Sequence, residues 1–141
     1  MRIVMDTDVL VAAFRSPTGA SREIVRLLYE GAEGAIEGAA NVPLRLEYEE
    51  VMLRPEQREA TGLDVSDVHT ILDQLAIVLH PVMTYFLWRP LLQDPDDELV
   101  LEAAINGRAD VLVTFNVGDY FPAAQYFRPE VLRPAELLRR L

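Results

Sequence analysis

The sequence predicts an α/β protein: a three-layer α/β/α arrangement around a central parallel sheet. Three observations carry that expectation. Short apolar runs alternate with longer amphipathic ones along the chain, so strands alternate with helices and the crossovers place helices on both faces of one sheet. Two of the runs, Ile3-Val4-Met5 and Asp110 to Thr114, read as the clearest strands. Finally, the 141 residues contain no internal repeat, low-complexity tract or linker, so residues 1–141 are expected to form a single domain around one core.

Each element follows in order. Residues 2–5 form a short buried strand ending at Asp6, and a helix runs from about Asp8 to Phe14 until Ser16-Pro17-Thr18-Gly19 breaks it. Ile24, Val25, Leu27 and Leu28 make a helical stripe that stops near Gly31, and Ala35 to Ala39 reads as a weak strand. Asn41 caps a helix with Pro43 in its first turn, which runs to Arg54-Pro55. Ser66 is expected to cap the next helix, whose apolar face is Val68, Ile71, Leu72, Leu75 and Leu79. Val82 to Trp88 is expected to be extended. Asp94-Pro95-Asp96-Asp97 opens a helix whose small buried residues, Ala103, Ala104 and Gly107 beside Val100, allow close approach to a sheet. A strand at Val131-Leu132 and a helix from Ala135 end the series.

Composition narrows the chemistry. Half the residues are hydrophobic and 26% are charged, which suits a folded domain rather than a disordered segment or a coiled coil. The absence of cysteine excludes thiolate zinc sites, disulfide scaffolds and cysteine nucleophiles. All 13 basic residues are arginine, so Schiff-base lysines and the Walker A lysine are excluded too. No signal-peptide architecture precedes Ile3, and no apolar run approaches the ~18 residues of a membrane span. A cytoplasmic protein without a membrane partner is expected. The formal net charge of −10 by itself repels a polyanion. Function therefore turns on whether some of the 23 acids converge.

In open α/β sheets, sites lie beyond the carboxyl ends of strands, where Asp6, Asn116 and Asp119 fall. Taken singly, Asp6 fits a helix cap and Asp119 a loop acid just as well. At ~100° per residue, Leu44, Tyr48 and Val51 share the core-facing arc of their helix, with Glu47 on its shoulder and Glu49 and Glu50 pointing to solvent. A carboxylate leaning toward a core must be paired, protonated or bound to a metal. Capping and helix-dipole compensation account for Asp94 and Asp96, but less well for Asp97, which shares a stripe with Val100 and Ala104. His69 and His80 lack metal-ligand spacing and read as structural, and neither a serine–histidine pairing nor a Gly-rich phosphate loop is present. The chemistry is left to carboxylates, and oxygen-only clusters suit Mg²⁺ or Mn²⁺.

With these pieces in place the sequence resembles the PIN-domain nucleases, and within them the toxins of toxin–antitoxin systems (VapC-like). Asp6-Thr7-Asp8-Val9-Leu10 resembles the opening acid motif, although the family more often has Asn where Asp8 stands. Ser16-Pro17-Thr18-Gly19-Ala20 resembles the subfamily's turn, and Glu47-Tyr48-Glu49-Glu50-Val51 followed by Arg54-Pro55 its second-acid helix. Asp94-Pro95-Asp96-Asp97 and Leu112 to Asp119 are similar to the third and fourth acidic motifs. The resemblance implies a metal-binding catalytic quartet of Asp6, Glu47, Asp97 and Asp119, with Asp94 in support and Thr7 and Thr114 as neighbouring hydroxyls. Asn116 stands where many relatives have aspartate and can offer only a neutral carbonyl oxygen. The resemblance also implies Mg²⁺ or Mn²⁺ as cofactor, RNA as substrate, an antitoxin partner and homodimers. Arg15, Arg22 and Arg26 around the Ser-Pro-x-Gly turn, and Arg89 ahead of Asp94, are candidate RNA contacts.

Two other readings stand beside this one. The fold could be catalytically degenerate and serve as an interaction module. Alternatively, Asp6-Thr7-Asp8 resembles the first motif of haloacid-dehalogenase-like phosphatases, although here the acidic pair Asp96-Asp97 precedes Thr114, the reverse of that family's order.

Overall fold

The computed structural model describes residues 1–85 and 92–141. Five strands, β1 (Arg2–Met5), β2 (Glu37–Ala40), β3 (Leu79–Pro81), β4 (Val111–Val113) and β5 (Glu130–Leu132), form one all-parallel sheet in the order β3-β2-β1-β4-β5. The connecting helices are α1 (Thr7–Arg15), α2 (Ala20–Leu28), α3 (Val42–Met52), α4 (Pro55–Thr61), α5 (Val65–Val78), α6 (Pro95–Asn106), α7 (Val117–Ala124) and α8 (Pro134–Arg140). They cover both faces of the sheet, giving the expected three layers. Among the described residues no helix is long and apolar enough to cross a membrane.

The central strands β2, β1 and β4 are buried on both faces, which only an unbroken apolar run tolerates, whereas the edge strands β3 and β5 expose residues. Ile3 and Val4 of β1 and Leu112 and Val113 of β4 have no exposed surface. In β2 the close approach of α2 and β3 requires glycine: a Cβ at Gly38 would lie 2.5 Å from Leu79 Cδ2 and 2.9 Å from Leu28 Cδ2. From β1 the chain winds outward through β2 to β3, then crosses back to β4 and β5, so the winding reverses between β1 and β4. That reversal opens a crevice at their carboxyl ends.

Several boundaries differ from expectation. Helix α5 begins at Val65 rather than behind Ser66; Asp64 accepts from Asp67 N at 2.7 Å while Asp67 accepts from Asp64 N at 3.0 Å, a reciprocal cap stronger than one hydroxyl supplies. Leu79 leaves that helix to start β3, and Met83 to Tyr85 have no regular structure; residues 86–88 of the stretch expected to be extended lie outside the described residues. Helices α4 and α7 had no sequence forecast.

Candidate metal centre

Strand register starts the site. Met5 pairs with Val113, so the next residues, Asp6 and Thr114, leave adjacent strands side by side. Asp6 occupies the N-cap position of α1 but makes no side-chain cap bond. Its Oδ2 instead accepts from Thr114 Oγ1 at 2.8 Å and from the Tyr120 hydroxyl at 3.0 Å. The capping explanation of Asp6 therefore fails. Burial pushes its carboxyl above the ordinary range, with the two hydroxyls pulling the other way.

Asp8, one step into α1, is the residue the sequence argument passed over. Its Oδ2 accepts from Asn116 Nδ2 at 3.0 Å and Phe115 N at 3.2 Å, while its Oδ1 is buried without a partner. Burial, and then the Asp6 charge, raise it to about 7. Its spacing of two residues from Asp6 across a strand–helix junction was the available signal.

Helix α3 brings the next acid. Asn41 caps it through Leu44 N at 2.9 Å, and the buried Tyr48 donates its hydroxyl to Met5 O at 2.6 Å, clamping α3 to the end of β1. That clamp swings Glu47 toward the strand ends and leaves Glu49 and Glu50 exposed, as the helical arc requires. Glu47 is raised to about 7, by burial first and then by Asp96, Asp6 and Asp94. The neighbouring Thr7 hydroxyl opposes that rise, and Glu47 Oε2 and Thr7 Oγ1 are both buried without a well-formed hydrogen bond.

Helix α6 supplies the third group. Asp94 caps it, accepting from Asp96 N at 2.9 Å. Asp97 is half-buried, 3.4 Å from the Tyr120 hydroxyl, and is raised to about 6 by burial, then by Asp6, Asp94 and Asp119. Asp96, assigned only to the helix dipole on sequence grounds, faces Glu47 closely enough to be the largest charge acting on it. Asp119 is exposed in the first turn of α7.

Asp6, Glu47, Asp94, Asp97 and Asp119 thus share one electrostatic neighbourhood, with Asp8 and Asp96 added and Thr114 at its floor. Among the described residues no three acid or histidine side chains are already drawn together as a cage. The fit to a hard cation rests on the donor set itself: only oxygen atoms, with two carboxylate oxygens buried and unsatisfied, which like charge alone would push apart. A magnesium ion tolerates such an open arrangement, since it usually retains several waters.

The arginines lie elsewhere. Helix α1 carries Arg15 about 12 Å along its axis from Thr7, at ~1.5 Å per residue, so Arg15 sits at the opposite end from the acids. Arg15, Arg22 and Arg26 line a groove of about 640 Å³ with Phe14, Leu63 and Ile71. Arg22 stacks 5.0 Å over the Phe14 ring, and Arg26 is paired with Glu23 and Glu30. These three arginines thus lie together around the Ser-Pro-x-Gly turn, away from the acids; Arg89 lies outside the described residues.

A family model described as the PIN domain matches residues 2–118. Among solved structures, the chain is similar to VapBC2 from Rickettsia felis bound to a DNA fragment from their promoter, at 16% identity and a TM-score of 0.62, over 94% of this chain and 97% of that one. At that identity the likeness speaks to the fold. No curated protein matches the chain.

Proposed function

The chain belongs to the PIN-domain family, and on that premise we propose that it is a metal-dependent endoribonuclease, the toxin of a toxin–antitoxin pair acting in the cytoplasm. One observation carries the reading: acids from three separate elements crowd the crevice between β1 and β4, and Asp8, Glu47 and Asp97 are held at about 7, 7 and 6 by burial first and then by the charges of Asp6, Asp94, Asp96 and Asp119 around them. Folding tolerates such crowding where a cation relieves it. Family membership also sets aside the phosphatase reading.

Asp6, Glu47, Asp97 and Asp119 would hold Mg²⁺ or Mn²⁺, with Asp94 in support. When bound, such an ion supplies charge neutralisation for a phosphodiester and a more acidic water. The chain's own residues do the positioning. Thr114 commits one oxygen of Asp6 to the protein, and Tyr48 anchors the helix that carries Glu47. Asp8 ties down the loop leading to Asp119 through Phe115 N and Asn116 Nδ2. The antitoxin partner is supported by the fold shared with VapBC2. Homodimers follow from the family resemblance alone.

A matched pair of variants tests the reading on one unstructured RNA with EDTA controls. Glu47→Gln keeps the shape and removes the charge, so divalent-dependent cleavage falls at least ~100-fold. Glu50→Gln, exposed and paired only with Arg54 at 3.3 Å, keeps cleavage within about twofold. Equal losses would mean that the wrong glutamate is assigned. Wild-type protein without EDTA-sensitive cleavage would favour the degenerate interaction module.

A further inference from the structure

One group beside the carboxylates has no part in the roles assigned so far: the phenol of Tyr120. Its ring is fully buried on the inner face of α7, one residue beyond the exposed Asp119. Its hydroxyl lies 3.0 Å from Asp6 Oδ2 and 3.4 Å from Asp97 Oδ1. The hydroxyl thus reaches both of these acids, which come from different elements. A phenol has one proton to donate, and the shorter contact assigns it to Asp6. With Thr114 Oγ1 at 2.8 Å on the same atom, Asp6 Oδ2 then accepts two hydroxyls and is committed to the protein. Oδ1 is the oxygen left to meet a cation, while Asp97, at the longer distance, keeps more freedom to turn toward it.

We propose that Tyr120 is a positioning residue of the metal centre: its hydroxyl, placed between Asp6 at the end of β1 and Asp97 on α6, sets the spacing at which the two carboxylates present oxygens to one divalent cation. The inference rests on the metal-site reading above. A buried tyrosine that only fills the core would be replaced by phenylalanine without consequence. A phenol that orients ligands behaves as an outer-shell partner, whose loss typically weakens metal affinity or activity by 10–100-fold.

The test is Mn²⁺ titration of wild type and Tyr120→Phe, followed by electron paramagnetic resonance of free and bound Mn²⁺. Melting curves in EDTA check that the variant folds. The Kd for Mn²⁺ rises about tenfold or more in the variant and the bound-ion line shape changes, because Asp6 loses the hydroxyl that fixes its Oδ2 and the group that spaces it from Asp97 is gone. On RNA, kcat falls while KM stays near the wild-type value. Tyr126→Phe, which removes a phenol that is 76% exposed and outside the site, matches wild type in every reading. Wild-type Mn²⁺ binding with an identical Kd and line shape in Tyr120→Phe overturns this inference alone. Failure of the wild type itself to bind Mn²⁺ overturns it together with the metal-site reading.

Discussion

Asp8 and Asn116 stand far apart in the chain, and each departs from the pattern of the family the sequence resembles. In space they are partners: Asn116 Nδ2 donates to Asp8 Oδ2 at 3.0 Å, so the two departures are halves of one amide–carboxylate pair. Such a pair is satisfied whichever side carries the charge, provided one side does. Asn116→Asp alone sets two carboxylates within hydrogen-bond reach and lowers metal-free stability. The transposed double variant, Asp8→Asn with Asn116→Asp, restores an amide facing a carboxylate. Chemical denaturation in EDTA should therefore give a coupling energy of ~0.5–3 kcal/mol between the two substitutions, within the usual range for residues in contact. Simple additivity would show that the two side chains do not depend on each other. The exposure of Glu50 and the inward lean of Glu47, by contrast, were legible from helical period alone, since both follow from rotation about one axis.

Helix starts and stops show where local chemistry decides and where it yields. The Asp64–Asp67 cap of α5 is local, and the expected cap at Ser66 lies only two residues beyond Asp64. Asp64→Ala should cost about 0.5–2 kcal/mol of stability, the usual value of an N-cap, whereas Ser66→Ala should stay within ~0.5 kcal/mol. Melting curves of the two variants check this, and RNA cleavage should not change in either, because α5 carries none of the acids of the site. Helix α7 is different. Gly118 and Pro122 weaken it intrinsically, at roughly 1 and 3 kcal/mol relative to alanine in a helix interior. It forms because the apolar side chains of Tyr120 and Ala123 are buried beneath it, a gain that no local propensity records. That missing helix is why Tyr120 escaped notice: without a helix there was no inner face on which to place it.

Across the whole molecule, the acid crowding sets an unusual pH dependence. Asp8, Glu47 and Asp97 have folded-state values raised to about 7, 7 and 6, above their ordinary values near 4, so their protonated forms favour the folded state. Their contribution to stability is complete below about pH 4 and is lost as pH rises through ~6–7, because the unfolded chain then binds fewer protons than the folded one. The metal-free protein should accordingly melt higher at pH 5 than at pH 8. Millimolar Mn²⁺ should narrow the gap by stabilising the ionised carboxylates that protons otherwise neutralise. Calorimetry in EDTA and in Mn²⁺ at both pH values checks this. A melting temperature that rises from pH 5 to pH 8 in EDTA would show that the carboxylates are not mutually strained.

By itself the sequence determined the fold class, the strands β1, β2, β4 and β5 and most of the acids worth examining, though not β3 or the part played by Asp8, because apolar period and strand ends are local properties. It also excluded cysteine and lysine chemistry outright. Only the tertiary structure decided which acids meet. The β1–β4 register sets Asp6 beside Thr114, 108 residues later in the chain. The bond from Tyr48 to Met5 O docks the core-facing arc of α3 at the end of β1, and the fold of α7 carries Tyr120 between Asp6 and Asp97. Strand register, helix direction and long-range hydrogen bonds are relations between distant residues, and no short window of the sequence contains both partners.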